Sequence, residues 1–210
     1  MKKKLKPPQF FLLFSFMYSM LKKLSLFLIS LVVLTACEEN YTPKAKGYNR
    51  IDLPEHSYQQ LQGDYPYTFQ YSSHAFVQPH KSTFTEPYWI DVVYPDLHGT
   101  LEITYKKING KKELLDELVD DSHKLASKHN VKATAIDEAV IKTPKGYTAA
   151  IFELEGEVPS QFQFYVTDST SNFLRGALYF PIATKNDSLR PVIDFIKLDV
   201  VNLINTLEWK

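Results

Sequence analysis

Side chains able to do chemistry are thinly spread in this sequence. Six histidines stand at 56, 74, 80, 98, 123 and 129. On the helix predicted below, His123 and His129 are six residues apart, which turns their rings to different faces. A metal ion held by a helix asks for ligands at i and i+4, or for a convergent set of His, Cys and carboxylates; neither is supplied, so no metal and no cofactor is expected. Glu153, Glu155 and Glu157 alternate along a predicted strand. Paired carboxylates can exchange protons when their surroundings separate their pKa values, but three like charges on one strand face read first as a solvated surface. The seven glycines build neither G-x-G-x-x-G nor a Walker-type loop, and G-x-S-x-G, H-E-x-x-H and C-x-x-C are absent. No catalytic residue is assigned, and the chain is expected not to be an enzyme.

The single cysteine, Cys37, follows an apolar run, Leu24 to Leu34, that itself follows Lys22-Lys23. Eleven uncharged residues suit the hydrophobic region of an export signal and fall short of the roughly 20 that span a bilayer. Leu34-Thr35-Ala36-Cys37 resembles the bacterial lipobox, in which small residues precede a cysteine that becomes diacylated and then N-terminal. Residues 1–36 are accordingly read as a lipoprotein signal peptide, Cys37 as the lipidation point, and Leu34, Thr35 and Ala36 as its lipobox. Met20-Leu21-Lys22-Lys23 already opens a signal of ordinary length, so translation is expected to start at Met20. Residues 37–47 carry charges, a proline and a glycine without apolar period and form a tether; 48–210 is a single domain.

Processing changes the charge balance. The chain holds 24 basic and 24 acidic residues, and six lysines but no acids precede Cys37, leaving 18 against 24, or −6. With no basic patch longer than a pair, nucleic acid is not an expected partner, since its binding draws on clustered Lys and Arg. With its one sulfur committed to the anchor, the domain must hold together by its core, and a domain near 150 residues buries about 70% of the surface of its unfolded chain.

Alternating apolar residues predict strands at Tyr67 to Tyr71, Trp89 to Tyr94 and Leu101 to Tyr105, the last two joined through a turn over Pro95 to Gly99. The period then becomes helical. Leu114, Leu115, Leu118, Val119, Leu125 and Ala126 mark one face of a helix between Lys111 and His129. Strands follow at about 132–141, 147–155, 161–167 and 173–180. In the third of these, Phe162, Phe164 and Val166 form one face and Gln161, Gln163 and Tyr165 the other, which reads as one buried face. A final helix runs from Asp187 or Ser188 as cap, with Pro191 in its first turn, to Leu207. The order predicts an α+β fold: a mainly antiparallel sheet with two packing helices, one central and one C-terminal. At the level of pattern it resembles the PsbP-like fold.

Tyr41-Thr42-Pro43-Lys44 through Arg50-Ile51-Asp52-Leu53-Pro54, Ala135-Ile136-Asp137-Glu138, Gln163 to Thr170, Phe173 to Phe180 and the ending Glu208-Trp209-Lys210 together resemble the gliding-motility lipoprotein GldD family of Bacteroidota, across essentially the whole mature chain. The resemblance implies a cell-envelope lipoprotein needed for gliding, a process coupled to type IX secretion, and brings no catalytic motif. Asp168-Ser169-Thr170 and Asp187-Ser188-Leu189 each resemble the three-residue O-glycosylation motif of that phylum, with Ser169 and Ser188 as acceptors; both are equally explained as turn and cap residues.

Two readings follow. In the first the protein is a noncatalytic component that meets other gliding-motility or type IX secretion envelope proteins, lipid-anchored on the outer membrane facing the periplasm, with the cell surface as the other placement. In the second it is a lipid-anchored module that binds an envelope glycan or other small ligand. The aromatics crowded between Tyr58 and Tyr94 serve either reading, though packing explains them more simply. The Met20 start is checked by peptide mapping of the precursor in a processing-blocked strain, which should yield no peptide from residues 1 to 19.

Overall fold

A computed structural model describes residues 16–27, 51–181 and 186–210. The chain divides into two compact units, residues 1–47 and 48–210. In the first, residues 16–27 form helix α1, exposed on all sides. No helix among the described residues is long and apolar enough to cross a membrane.

The second unit is built on seven antiparallel strands in the order β4-β5-β6-β10-β9-β8-β7. These are β4 (Phe76–Pro79), β5 (Ile90–Tyr94), β6 (Gly99–Lys107), β7 (Ala133–Lys142), β8 (Thr148–Gly156), β9 (Phe162–Thr167) and β10 (Asn172–Tyr179). The first three form one meander. Helix α2 (Lys112–Ser127) and a 3₁₀ turn (Lys128–Val131) then carry the chain from the middle of the sheet to its far edge. The second meander returns strand by strand until β10 pairs with β6. Helix α3 (Asn186–Thr206) lies on the opposite face from α2, as the two core clusters show.

Residue alternation explains the layering. Leu101 and Ile103 of β6, Phe162, Phe164 and Val166 of β9, and Leu174 and Leu178 of β10 point to one face and pack with Val192, Phe195, Ile196, Val200 and Leu203 of α3. The other face carries Ala150, Phe152, Leu154, Tyr165 and Phe173 against Leu115, Leu118, Val119 and Ala126 of α2. The reading of β9 as buried on one face is corrected: all six of its residues are buried, because α2 covers the side that Gln163 and Tyr165 occupy. The α2 stripe also differs from expectation, since it passes through Ser122, whose hydroxyl donates to the Leu118 carbonyl at 2.8 Å, and leaves Leu125 exposed. Helix α3 begins at Asn186, so neither Asp187 nor Ser188 is the cap and Pro191 sits deeper than the first turn.

The stretch read as one strand, Tyr67 to Tyr71, is two short ones that leave the main sheet. β2 (Tyr67–Thr68) pairs with the C-terminal β11 (Glu208–Trp209), and β3 (Gln70–Ser72) pairs with β1 (Tyr58–Gln60). Tyr67 and Phe69 are buried nonetheless. Before β1 the chain is an extended arm whose Leu53 packs on the core. The C-terminus is held by the β2–β11 pair, by Lys210 N–H donating to the Pro66 carbonyl at 2.9 Å and by an ion pair between Lys145 and Glu208.

Gly176 faces Phe164 across the β9–β10 pair. A Cβ there would lie 2.3 Å from the Phe164 ring, so the ring takes the place of the absent side chain. Phe164 is buried and cannot yield. Gly176→Ala is therefore expected to destabilise the domain by about 2 kcal/mol through overpacking, read as a lower urea midpoint at unchanged m-value.

Candidate functional site

Three of the six histidines lie against carboxylates. His56 Nδ1 is 2.7 Å from Asp199 Oδ1, across 143 positions of sequence. The ring stacks on Phe195 at 4.2 Å. Asp199, on α3, is 1% exposed, with Tyr58 and Tyr94 beside it; burial first, then the Asp199 charge, pushes both phenols upward, so they stay protonated. A histidine oriented by a buried aspartate is half of a nucleophilic triad. The other half would be a hydroxyl on the second ring nitrogen. Among the described residues none bonds there: the neighbouring Ser57 Oγ is taken by Ser73 Oγ and lies 3.4 Å from His74 Nε2. The His56–Asp199 contact clamps the N-terminal arm to α3.

The second pair begins a polar row on the α2 face of the sheet. His80 Nδ1 meets Asp91 Oδ1 at 2.7 Å, Asp91 stands opposite Glu102 on β6, and Arg175 on β10 donates to Gln163 Oε1 on β9 at 2.6 Å. Burial raises the Glu102 carboxyl, His80 and Arg175 pull it back, and Asp91 pushes it further up. His80 and Arg175 flank the neighbouring Asp91 and Glu102 carboxylates and offset their mutual repulsion.

Between β4 and β5 the chain makes the loop 80–89, which is pinned at both ends. His80 N–H donates to the Trp89 carbonyl at 3.1 Å. Within the loop Thr85 Oγ1 accepts from Ser82 N–H at 2.8 Å and donates to the His80 carbonyl at 3.1 Å. Glu86 pairs with Lys106, whose ammonium also lies 5.6 Å from the Trp89 ring. Trp89 Nε1 donates to the Tyr105 carbonyl at 3.0 Å, and Tyr67 Oη donates to that of Tyr88 at 2.5 Å. This bracing holds Phe84 out in solvent, 83% exposed, with Tyr88 beside the loop's end 44% exposed.

A cleft of about 290 Å³ opens between the start of β7, the end of β8 and the N-terminal half of α3. Phe162 and Ile193 line it together with Asp137, Glu153, Glu155, Asp194, Arg190 and Lys197. Lys197 pairs with Glu153, and Arg190 lies 3.9 Å from Asp194. The lining contains no Ser, Cys, His or Tyr, and the described residues hold no group of three or more metal-ligating side chains.

Two members of the predicted acidic trio, Glu153 and Glu155, reach this cleft; Glu157 lies past the end of β8, exposed. Cys37 and the lipobox residues Leu34, Thr35 and Ala36 lie outside the described residues. Ser169 is exposed at a turn with φ 66°, shaped by Asp168, whose Oδ1 accepts from the N–H groups of Thr170, Ser171 and Asn172 at 2.7–2.9 Å. Burial alone would raise the Asp168 carboxyl, but those donors and the Asn172 amide more than offset it and hold it below its usual range. Ser188 is half-buried in α3. Of the crowded aromatics Tyr67 and Tyr94 are buried, Tyr65 and Tyr71 pack partly buried against the core, Trp89 is half-buried, and Tyr58 and Tyr88 are exposed. The sequence reading missed the histidine pairs and the braced loop; only Pro87-Tyr88-Trp89 just before a strand hinted at the latter.

A mainly antiparallel sheet with a helix on each face defines an α+β domain. The model of the gliding motility lipoprotein GldD family matches residues 38–209, and the chain belongs to that family. Membership implies a role in gliding motility and a lipid-anchored envelope protein. No curated protein matches the sequence. The fold is similar to the solution structure of cyanobacterial PsbP (CyanoP) from Synechocystis sp. PCC 6803, at 10% identity and a TM-score of 0.46, over 77% of this chain and 98% of that one; the α+β class rests on the strand order itself.

His123, between α2 and β7, gives the domain a pH signature. Its Nδ1 lies 2.8 Å from the Val119 carbonyl and its Nε2 2.9 Å from Glu138 Oε1 on β7. The backbone contact to Val119 raises the imidazole, burial lowers it, and Glu138 raises it again, for a net rise above 6.5. A raised imidazole contributes stability that is complete below its unfolded pKa and lost as pH rises through the folded one. The stability gap between wild type and His123→Gln should therefore be larger at about pH 5.5 than at about pH 8.5, where it closes, as read by urea midpoints.

Proposed function

We propose that this lipoprotein is a noncatalytic component of the gliding apparatus, acting with the type IX secretion machinery through protein–protein contacts. It is anchored through lipid on Cys37, on the outer membrane facing the periplasm. The observation that carries the reading is the family match over residues 38–209. The braced loop supports it physically. An aromatic side chain held in place while exposed loses little entropy when a partner covers it, and such residues dominate interface energetics. The cleft supports it from the other side, since Lys197 is already paired with Glu153 there and a glycan using either group would have to displace that pair.

The test is crosslinking and affinity purification of the lipidated protein from its own envelope, alongside a Cys37→Ala form. Gliding-motility or type IX secretion components should be recovered with the lipidated protein and reduced with the unanchored one; recovering none overturns the reading. Phe84→Ala should lower that recovery about tenfold, the loss expected of one interface anchor. Its unfolding free energy from urea titration should stay within about 0.5 kcal/mol of wild type, because an exposed side chain contributes little to folding.

A further inference from the structure

The two edges of the sheet are unlike. β4 is four residues long and ends at Pro79, which removes a donor from that edge. β7 at the other edge is ten residues long, and from Asp137 to Lys142 every residue is exposed. Val140 and Ile141 point to opposite faces and are 62% and 37% exposed. Among the described residues no strand pairs with the outer side of β7. Natural sheets seldom leave a long edge open unless something pairs with it.

The backbone groups on that edge can be assigned. Thr143 N–H donates to the Tyr147 carbonyl at 2.9 Å, and the β7–β8 register continues as Ile141↔Ala149 and Ala139↔Ile151. In an antiparallel pair, hydrogen-bonded and non-hydrogen-bonded positions alternate, so the odd-numbered residues turn their N–H and C=O toward β8. Glu138, Val140 and Lys142 turn theirs outward.

We propose that a second copy of this chain pairs with it along β7, antiparallel, with a two-fold axis at Val140. In that register Val140 meets Val140 of the second copy, Ala139 meets Ile141 on one face, and Glu138 meets Lys142 on the other, twice by symmetry. Apolar residues oppose apolar ones, opposite charges oppose each other, and the outward residues supply three backbone-bonded pairs. Adjacent registers lose this match. An axis at Ala139 sets Glu138 against Val140 and Asp137 against Ile141, and an axis at Glu138 sets the two glutamates face to face, which is destabilising. Pro144 follows the paired segment and ends it. A shared membrane anchor would hold the two copies at high effective concentration, which favours an interface of this modest size.

The test uses the full lipidated chain in its native envelope. Val140→Cys places a thiol on the axis, and a short bismaleimide should crosslink it to a species of twice the monomer mass that contains this chain alone. The parent chain, with only its native cysteine, and a Phe84→Cys form should give no such species. Adding Glu138→Lys opposes like charges and should lower the crosslinked yield about tenfold. Adding Lys142→Glu to that form exchanges the signs and should restore it. The restoration is specific to pairing, because the second substitution does not rebuild the Glu138 contact to His123. Val140→Pro, judged by blue-native electrophoresis, should abolish the dimer while sparing folding, since the Val140 N–H points away from β8. A crosslink to another protein, a product of monomer mass only, or no rescue by the charge exchange overturns the proposal.

Discussion

Water touches neither face of β9, and the rest of the fold answers to that. A strand covered on one side can send every second residue into solvent. Here α3 covers Phe162, Phe164 and Val166 while α2 covers Tyr165 and Gln163, so all six residues are buried. The long crossover from β6 to β7 exists because α2 must cross the sheet to close that second face. Gly176 is part of the same demand, giving the Phe164 ring room where α3 presses down.

Closing the second face obliges its polar residues to find each other. α2 packs its apolar stripe on residues of β8, β9 and β10, and from β5 through β6 and β10 to β9 the same face carries Asp91, Glu102, Arg175 and Gln163. Each sits near an opposite charge or a fixed acceptor, the His80–Asp91 and Arg175–Gln163 contacts being the direct ones. Removing one partner of such a set leaves the other charged group without compensation, which costs far more than the pair itself contributes. The His56–Asp199 clamp follows the same rule on the α3 face, with a nearly inaccessible carboxylate and a histidine that lies partly in solvent. Buried carboxylates in this domain therefore speak for architecture before chemistry.

The layers were legible because periodicity is local. The eight strands and helices from β5 to α3 can be read from alternation or helical spacing within windows of ten to twenty residues. What escaped was long-range. His56 and Asp199 are separated by 143 positions, and no pattern near either residue announces the other. The split of Tyr67 to Tyr71 into β2 and β3 escaped for the same reason, since β2 is defined by its pairing with Glu208–Trp209 at the far end of the chain. Phe84 escaped because exposure, unlike burial, leaves no periodic trace. Burial of Gln163 was hidden by its own polarity: only a partner such as Arg175 makes a buried amide affordable.

The distribution of satisfied and unsatisfied surface argues where this domain does its work. In the cleft Lys197 of α3 is paired with Glu153 of β8, so a ligand using either group would first have to separate them. The Phe84 side chain stands in solvent, although a network of hydrogen bonds and an ion pair fix the loop that carries it. Ordering a loop costs conformational entropy, and here that cost is met in the free protein, before any partner arrives. A surface prepared in this way gains from burial of the aromatic without a further ordering penalty. In the function proposed above, that saving is what the braced loop would bring to a contact with another protein.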